Sequence, residues 1–189
     1  MNQNSYNNTP SVMFDTTVLC GALITDGVNR QLLRLASQTV DFHPILSKVC
    51  LLEFYKKAVY DGISGMKYKK ELVEDFLELF VYPILSNSPA VNSKVGRYHS
   101  EIIRRNEMRI GQALAEISGF STTNAVSLIE DAGLQDPLRY YDEQEVPVWV
   151  TAIHEKCRFI VTSNTKRFPK SIGNIIRVRP GDFFNMFMD

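Results

Sequence analysis

Three consecutive apolar residues, Val12-Met13-Phe14, run directly into a carboxylate, Asp15. Two hydroxyl residues, Thr16 and Thr17, follow, and then a second apolar stretch, Val18-Leu19-Cys20-Gly21-Ala22-Leu23-Ile24. A short apolar run bounded by polar residues predicts a buried strand ending at Asp15, with a turn or helix starting just after it. Asn29 to Ser37, carrying Leu32, Leu33 and Leu35, predicts a short helix. Val40 to Leu46 predicts a second strand. Pro44 restricts that strand to an edge or to a strand start, because proline has no N–H to give a sheet ladder. Ser47 suits the cap of a helix from Lys48 to Tyr60. Within that helix Val49, Leu52, Phe54, Ala58 and Val59 recur at roughly helical spacing.

Lys69 to Val81 predicts an amphipathic helix with Leu72, Val73, Phe76, Leu77 and Phe80 on one side, ended by Pro83. Ser86 to Ser93 reads as a loop. Arg97 to Ser118 predicts one helix or two, and Thr123 suits the cap of another from Asn124 to Ala132, stopped by Gly133. The last third returns to a β/α rhythm. An apolar helix with Val148, Trp149, Ala152 and Ile153 precedes a buried strand, Arg158 to Thr162. A final strand, Ile175 to Val178, leads to a closing helical turn from Gly181 to Met188. Alternation of this kind predicts an α/β protein: a mainly parallel sheet of about five strands covered on both faces, in three α/β/α layers. The segment 92–138 is an added helical insertion.

Composition narrows the possibilities. The 189 residues suit a single domain over 11–189, preceded by a flexible arm over 1–10. An apolar content of 44% fills a substantial core. The formal net charge is zero, which excludes whole-molecule attraction to nucleic acid or membrane and leaves such binding to local patches. Cys20, Cys50 and Cys157 are widely spaced and without a CxxC pair, which favours free thiols in a reducing compartment over a disulfide frame or zinc site. The first ten residues lack the apolar core of a signal peptide. No apolar run approaches the roughly 20 residues that span a bilayer. A cytoplasmic protein is the expectation.

The chemistry rests with the acids. Asp15 and Asn164 each stand at or just beyond the end of a buried strand, at the edge where open α/β sheets bind ligands. Glu53 lies in an apolar helix face, where burial is costly unless a cation pairs with it. Asp142 and Glu145 lie at the start of the helix that feeds the third strand. Each also has an ordinary role open to it. Asp15 suits a helix cap, Glu53 suits a pair with a buried arginine or a turn to solvent, and Asn164 suits a turn. Asp142 and Glu145 fit a capping box. That box would put Pro147 five positions into the helix, where its missing N–H costs a bond. A start at Gln144 or Glu145 puts it safely in the first turn. Several carboxylates at one edge would raise one another's pKa, and a hard divalent cation such as Mg²⁺ or Mn²⁺ relieves that penalty.

Taken together, Val12-Met13-Phe14-Asp15-Thr16-Thr17-Val18-Leu19, Pro44-Ile45-Leu46-Ser47-Lys48-Val49-Cys50-Leu51-Leu52-Glu53, Asp142 to Ile153, Phe159 to Pro169 and Val178-Arg179-Pro180-Gly181-Asp182-Phe183-Phe184 make a chain that resembles the PIN-domain proteins. The resemblance implies a Mg²⁺- or Mn²⁺-dependent endoribonuclease, a hydrolase of RNA phosphodiesters and in many members the toxin component of a toxin–antitoxin pair. Asp15 matches the family's first acid, Glu53 its second and Glu145 its third, with Asp142 as a neighbouring candidate. Asn164 matches the position where Asp or Asn is frequent. The implied catalytic residues are therefore Asp15, Glu53, Glu145 and Asn164, and the implied metal ligands Asp15, Glu53, Asp142 and Glu145. Thr16, Thr17, Thr162 and Ser163 would face the substrate. Two positions depart from the family's usual pattern. Glu145 lengthens the third acid by one methylene, and Asn164 contributes no charge toward a second metal.

Seven basic residues and no acid fall between Lys156 and Arg179. Lys166, Arg167 and Lys170 adjoin Asn164 and are the candidates to hold RNA phosphates. Partners implied are RNA, a small antitoxin protein and a second copy of the chain, with no membrane. The alternative is a PIN-fold module, weakened in catalysis by the Glu145 and Asn164 departures, that binds RNA or a protein partner. A phosphatase with Asp15 as nucleophile, similar to the haloacid-dehalogenase-like enzymes, is disfavoured because residue 17 is Thr where those enzymes carry a second Asp.

Overall fold

The computed structural model describes residues 9–92, 121, 123, 145–166, 170–172 and 174–187. The arm over 1–8, nearly all of the predicted helical insertion over 92–138, Asp142 and Arg167 lie outside them. The apolar run before Asp15 forms β1 (Ser11–Phe14), in which Val12, Met13 and Phe14 are fully buried. Burial on both faces is what a run without alternation requires. β2 (His43–Ile45), β3 (Phe159–Val161), β4 (Ser171–Ile172) and β5 (Ile175–Val178) complete a five-stranded sheet in the order β2-β1-β3-β5-β4. β1, β2, β3 and β5 run parallel, and β4 pairs antiparallel with β5. β2 is shorter than the predicted Val40–Leu46 strand. It sits at the sheet's edge, where Pro44 withholds no bond from an interior ladder.

Seven α-helices are described. α1 (Thr16–Ile24) starts immediately after Asp15, and α2 (Val28–Gln38) follows. α3 (Lys48–Lys56) is capped by Ser47, whose hydroxyl accepts the Cys50 N–H at 3.1 Å, and it widens into a π-turn over Lys57–Asp61. That turn stops at Gly62, whose φ of 98° lies where a Cβ is disfavoured. α4 (Lys70–Phe76) passes through a second π-turn, Leu77–Val81, into α5 (Tyr82–Asn87). Pro83 therefore does not end the helix. The π-turn lets the Tyr82 N–H reach back to the Leu77 carbonyl, and Pro83 falls in the first turn of α5, where a missing N–H costs little. α6 (Val146–His154) has Glu145 at its cap position and Pro147 in its first turn, the placement expected if the helix begins late. α7 (Pro180–Asn185) closes the described chain.

Strand alternation sends Val12 and Phe14 into one cluster with Leu19, Leu32, Phe42 and Phe183, drawn from or next to α1, α2 and α7. Met13 points the other way. α6 lies along β1 and β3, and its buried Val148, Trp149, Ala152 and Ile153 stand apart from that cluster. Helices thus cover both faces of a parallel sheet, the α/β class expected from the sequence. Phe183 is the hub on the first face, with ring centroids 5.2 Å from Phe42, 5.7 Å from Phe159, 6.4 Å from Phe14 and 4.9 Å from Phe187.

Candidate active site

Register decides which residues meet. Phe14 pairs with Val161, and Val161 with Val178. The next residue on each strand, Asp15, Thr162 and Arg179, therefore lies at one carboxyl edge of the sheet. The Asp15 N–H bonds the Val161 carbonyl at 3.1 Å, and the Thr162 N–H bonds the Val178 carbonyl at 3.1 Å.

Asp15 is 2% exposed and stands at the cap position of α1, yet its side chain makes no capping bond. Its Oδ2 instead accepts two hydroxyls, from Thr17 and from Thr162, each at 2.6 Å. Each hydroxyl in turn accepts a backbone N–H, Ser163 to Thr17 and Asn164 to Thr162, both at 3.0 Å. A threonine hydroxyl has one proton. With the amide protons arriving from behind, both hydroxyl protons are directed at Asp15, and each link polarises the next. The two hydroxyl oxygens lie 3.2 Å apart as a result of converging on one acceptor. Burial pushes the Asp15 carboxyl above the ordinary carboxylate range. The Thr162 and Thr17 hydroxyls oppose that rise, and the negative charge of Glu53 adds to it.

The other acids attach on either side. Glu53 reaches the site from α3, where its Oε2 accepts the Thr16 hydroxyl at 2.7 Å and its Oε1 meets Lys57 Nζ at 2.6 Å. Burial works against the Lys57 ammonium, but the hydrogen bond and charge of Glu53 outweigh it and hold its pKa above the usual lysine value. Glu145, 8% exposed at the start of α6, accepts the Asn164 side-chain amide at 2.8 Å on Oε1. Glu53, Thr16, Asp15, Thr162, Asn164 and Glu145 thus form a continuous polar path linked by covalent neighbours and hydrogen bonds. All four catalytic residues expected from the sequence lie on it.

Thr16 and Thr162 are buried, and their hydroxyls go to Glu53 and Asp15. Thr17 is committed to Asp15 as well, whereas Ser163 is exposed. Lys166 and Lys170 are exposed, and Arg177 donates to the Thr165 carbonyl at 2.7 Å, which ties Thr165 to β5. Sequence reasoning missed Lys57, although its i, i+4 spacing from Glu53 on a helix was readable. It placed Arg179 only within a basic run, and the register puts it at the sheet's carboxyl edge.

For a divalent cation the donor chemistry fits. Asp15 and Glu53 offer hard carboxylate oxygens, and Mg²⁺ is commonly held by one or two carboxylates with waters and substrate phosphate completing the shell. A cation there would also offset the cost of burying the Asp15 charge. Among the described residues no group of three or more His, Cys, Asp and Glu side chains is arranged to share one ion. Thiol chemistry is disfavoured at neutral pH, because burial pushes Cys20 up to about 11 and Cys50 and Cys157 up to about 12.

The hydroxyl relay makes a direct prediction. Thr162→Val removes a hydrogen bond to the Asp15 carboxyl, at an expected cost of about 1.5–3 kcal/mol where that carboxyl is ionised. Losing that donor raises the Asp15 pKa further, so the deficit should shrink as acid protonates the carboxyl. Urea unfolding of both proteins at neutral and acid pH measures it.

No family model, no curated protein and no solved structure matches the chain.

Proposed function

We propose that this protein is a Mg²⁺- or Mn²⁺-dependent endoribonuclease that hydrolyses RNA phosphodiester bonds. The observation that carries the proposal is Asp15, a buried carboxylate kept at a sheet's carboxyl edge by two converging hydroxyls, with Glu53 brought in from α3. Keeping a buried acid is costly, and such groups cluster where chemistry needs them. Asp15 and Glu53 would hold the metal, which when bound supplies an activated water and neutralises charge on the phosphate. Thr17 and Thr162 fix the Asp15 carboxylate in one orientation, and Thr16 does the same for Glu53. Asn164 holds Glu145 at the opposite end of the path. By the resemblance Glu145 would be the third ligand, with Asp142 as its neighbouring candidate. Lys166 and Lys170, with Arg167, would grip flanking phosphates, so RNA affinity should fall with rising salt at a log–log slope of about −0.7 per phosphate contacted.

By the same resemblance the protein would act in the cytoplasm as the toxin of a toxin–antitoxin pair, with an antitoxin protein covering the acids and a homodimer as its assembly. One observation favours a second proposal, a weakened module that binds RNA without cutting it: Glu145 Oε1 is engaged by the Asn164 amide. Single-stranded RNA incubated with purified protein and Mn²⁺ separates the two. Cleavage that stops with EDTA supports the nuclease. RNA binding with cleavage no faster than that of Asp15→Asn overturns it.

A further inference from the structure

Glu53 contacts a cation on the polar path, and that cation comes from its own helical segment. Lys57 lies at the first position of the π-turn that extends α3, and its ammonium reaches Glu53 Oε1 at 2.6 Å. The other carboxylate oxygen is held by Thr16, itself 1% exposed, so Glu53 cannot turn away without breaking a part-buried hydrogen bond. The carboxylates of Glu53 and Asp15 both act to hold the Lys57 ammonium charged, which places it beside the acids. The side chains of the pair are 39% and 29% exposed, so Lys57 has open solvent into which it can withdraw.

We propose that Lys57 holds the Glu53 oxygen that a divalent ion needs, so that metal entry displaces the ammonium. The inference rests on reading Asp15 and Glu53 as the metal ligands. An ammonium and a divalent ion compete for one carboxylate oxygen, and their like charges exclude joint occupancy at close range. The site is therefore metal-competent only in the fraction of molecules whose Lys57 has withdrawn, and the apparent dissociation constant is raised by the inverse of that fraction. A half-exposed pair of this kind is individually weak, which keeps the barrier passable. Once displaced, the ammonium stays on a short tether beside the site, where a phosphate is the natural acceptor.

The test reads metal binding without RNA. The full chain, stripped with EDTA and dialysed, is titrated with Mn²⁺ in a calorimeter as wild type, Lys57→Met, Lys57→Gln, Lys57→Arg, Glu53→Gln and Asp15→Asn, with folding of each checked by circular dichroism. The two neutral variants should bind Mn²⁺ about three- to tenfold more tightly than wild type. Lys57→Arg, which keeps the charge, should bind no more tightly than wild type, and Glu53→Gln should lose binding. Neutral variants that match or fall below wild type overturn the inference and leave the metal reading standing, as does a Lys57→Arg that tightens equally. Undiminished binding by Glu53→Gln also overturns it. Absence of Mn²⁺ binding in every variant removes the metal reading and the inference together.

Discussion

Asp15→Asn should lower the proposed Mn²⁺-dependent RNA cleavage by at least about 100-fold, because even hydrogen-bond partners of a metal ligand are worth roughly 10- to 100-fold. The same substitution should stabilise the metal-free protein at pH 7. The Asp15 carboxyl has a folded-state pKa above its ordinary value, chiefly through burial. The folded protein thus holds that proton more tightly than the unfolded chain does. The resulting stability is complete below the unfolded value of about 4 and is lost as pH rises through the folded pKa. Above its folded-state pKa the wild type carries an ionised buried acid. Asparagine carries none, and its carbonyl oxygen still accepts from Thr17 and Thr162. The expected gain is about 0.5–2 kcal/mol, the usual scale when a functional site is relaxed. For a chain of this length that is a rise of about 1–8 °C in Tm. The gap should close as pH falls toward 4. Differential scanning calorimetry of EDTA-treated protein across pH reads the sign directly. A variant that is less stable at pH 7 and no better at pH 4 would show that Asp15 is a structural acid.

Phe183→Ala should cost about 3–5 kcal/mol, the largest effect on stability expected from a single site. Phe183 is fully buried and meets Phe14, Phe42, Phe159 and Phe187 within 6.4 Å, in edge-on or tilted geometry that adds to simple burial. Truncation would leave a void against β1 and β3 and loosen α7 at once. A fall in Tm of roughly 6–20 °C follows from the same scaling. Phe183→Leu, which refills much of the volume, should recover more than half of the loss. If Phe183→Ala costs under about 1 kcal/mol, the aromatic cluster is not what fastens α7 to the sheet.

Much of this arrangement could be read from the residues in order. β1 was legible because three apolar side chains abut a carboxylate, and β3 because Phe159 to Val161 repeats the pattern. Ser47 announced its cap, and Pro147 fixed where α6 could start. The two π-turns left no trace, since widening a helix by one residue per turn preserves a broadly apolar face. That is why Pro83 looked like a terminator. β4 contributes two residues, too few to carry a period. The site divides along the same line. Asp15 announced itself by standing at a strand end and Glu53 by lying in an apolar helix face, whereas the hydroxyl relay depends on a register that joins Asp15 to a residue 147 positions away. Glu53 called for a cation, and the one it takes is Lys57, not a distant arginine.

The borders of the sheet have a consequence for assembly. On one side stands a three-residue strand with proline at its centre, and on the other a two-residue strand running backwards. Among the described residues neither offers enough free main chain for another polypeptide to zip onto, which guards these edges against ribbon-like aggregation. Two copies that associate should do so through side chains on their helical coats.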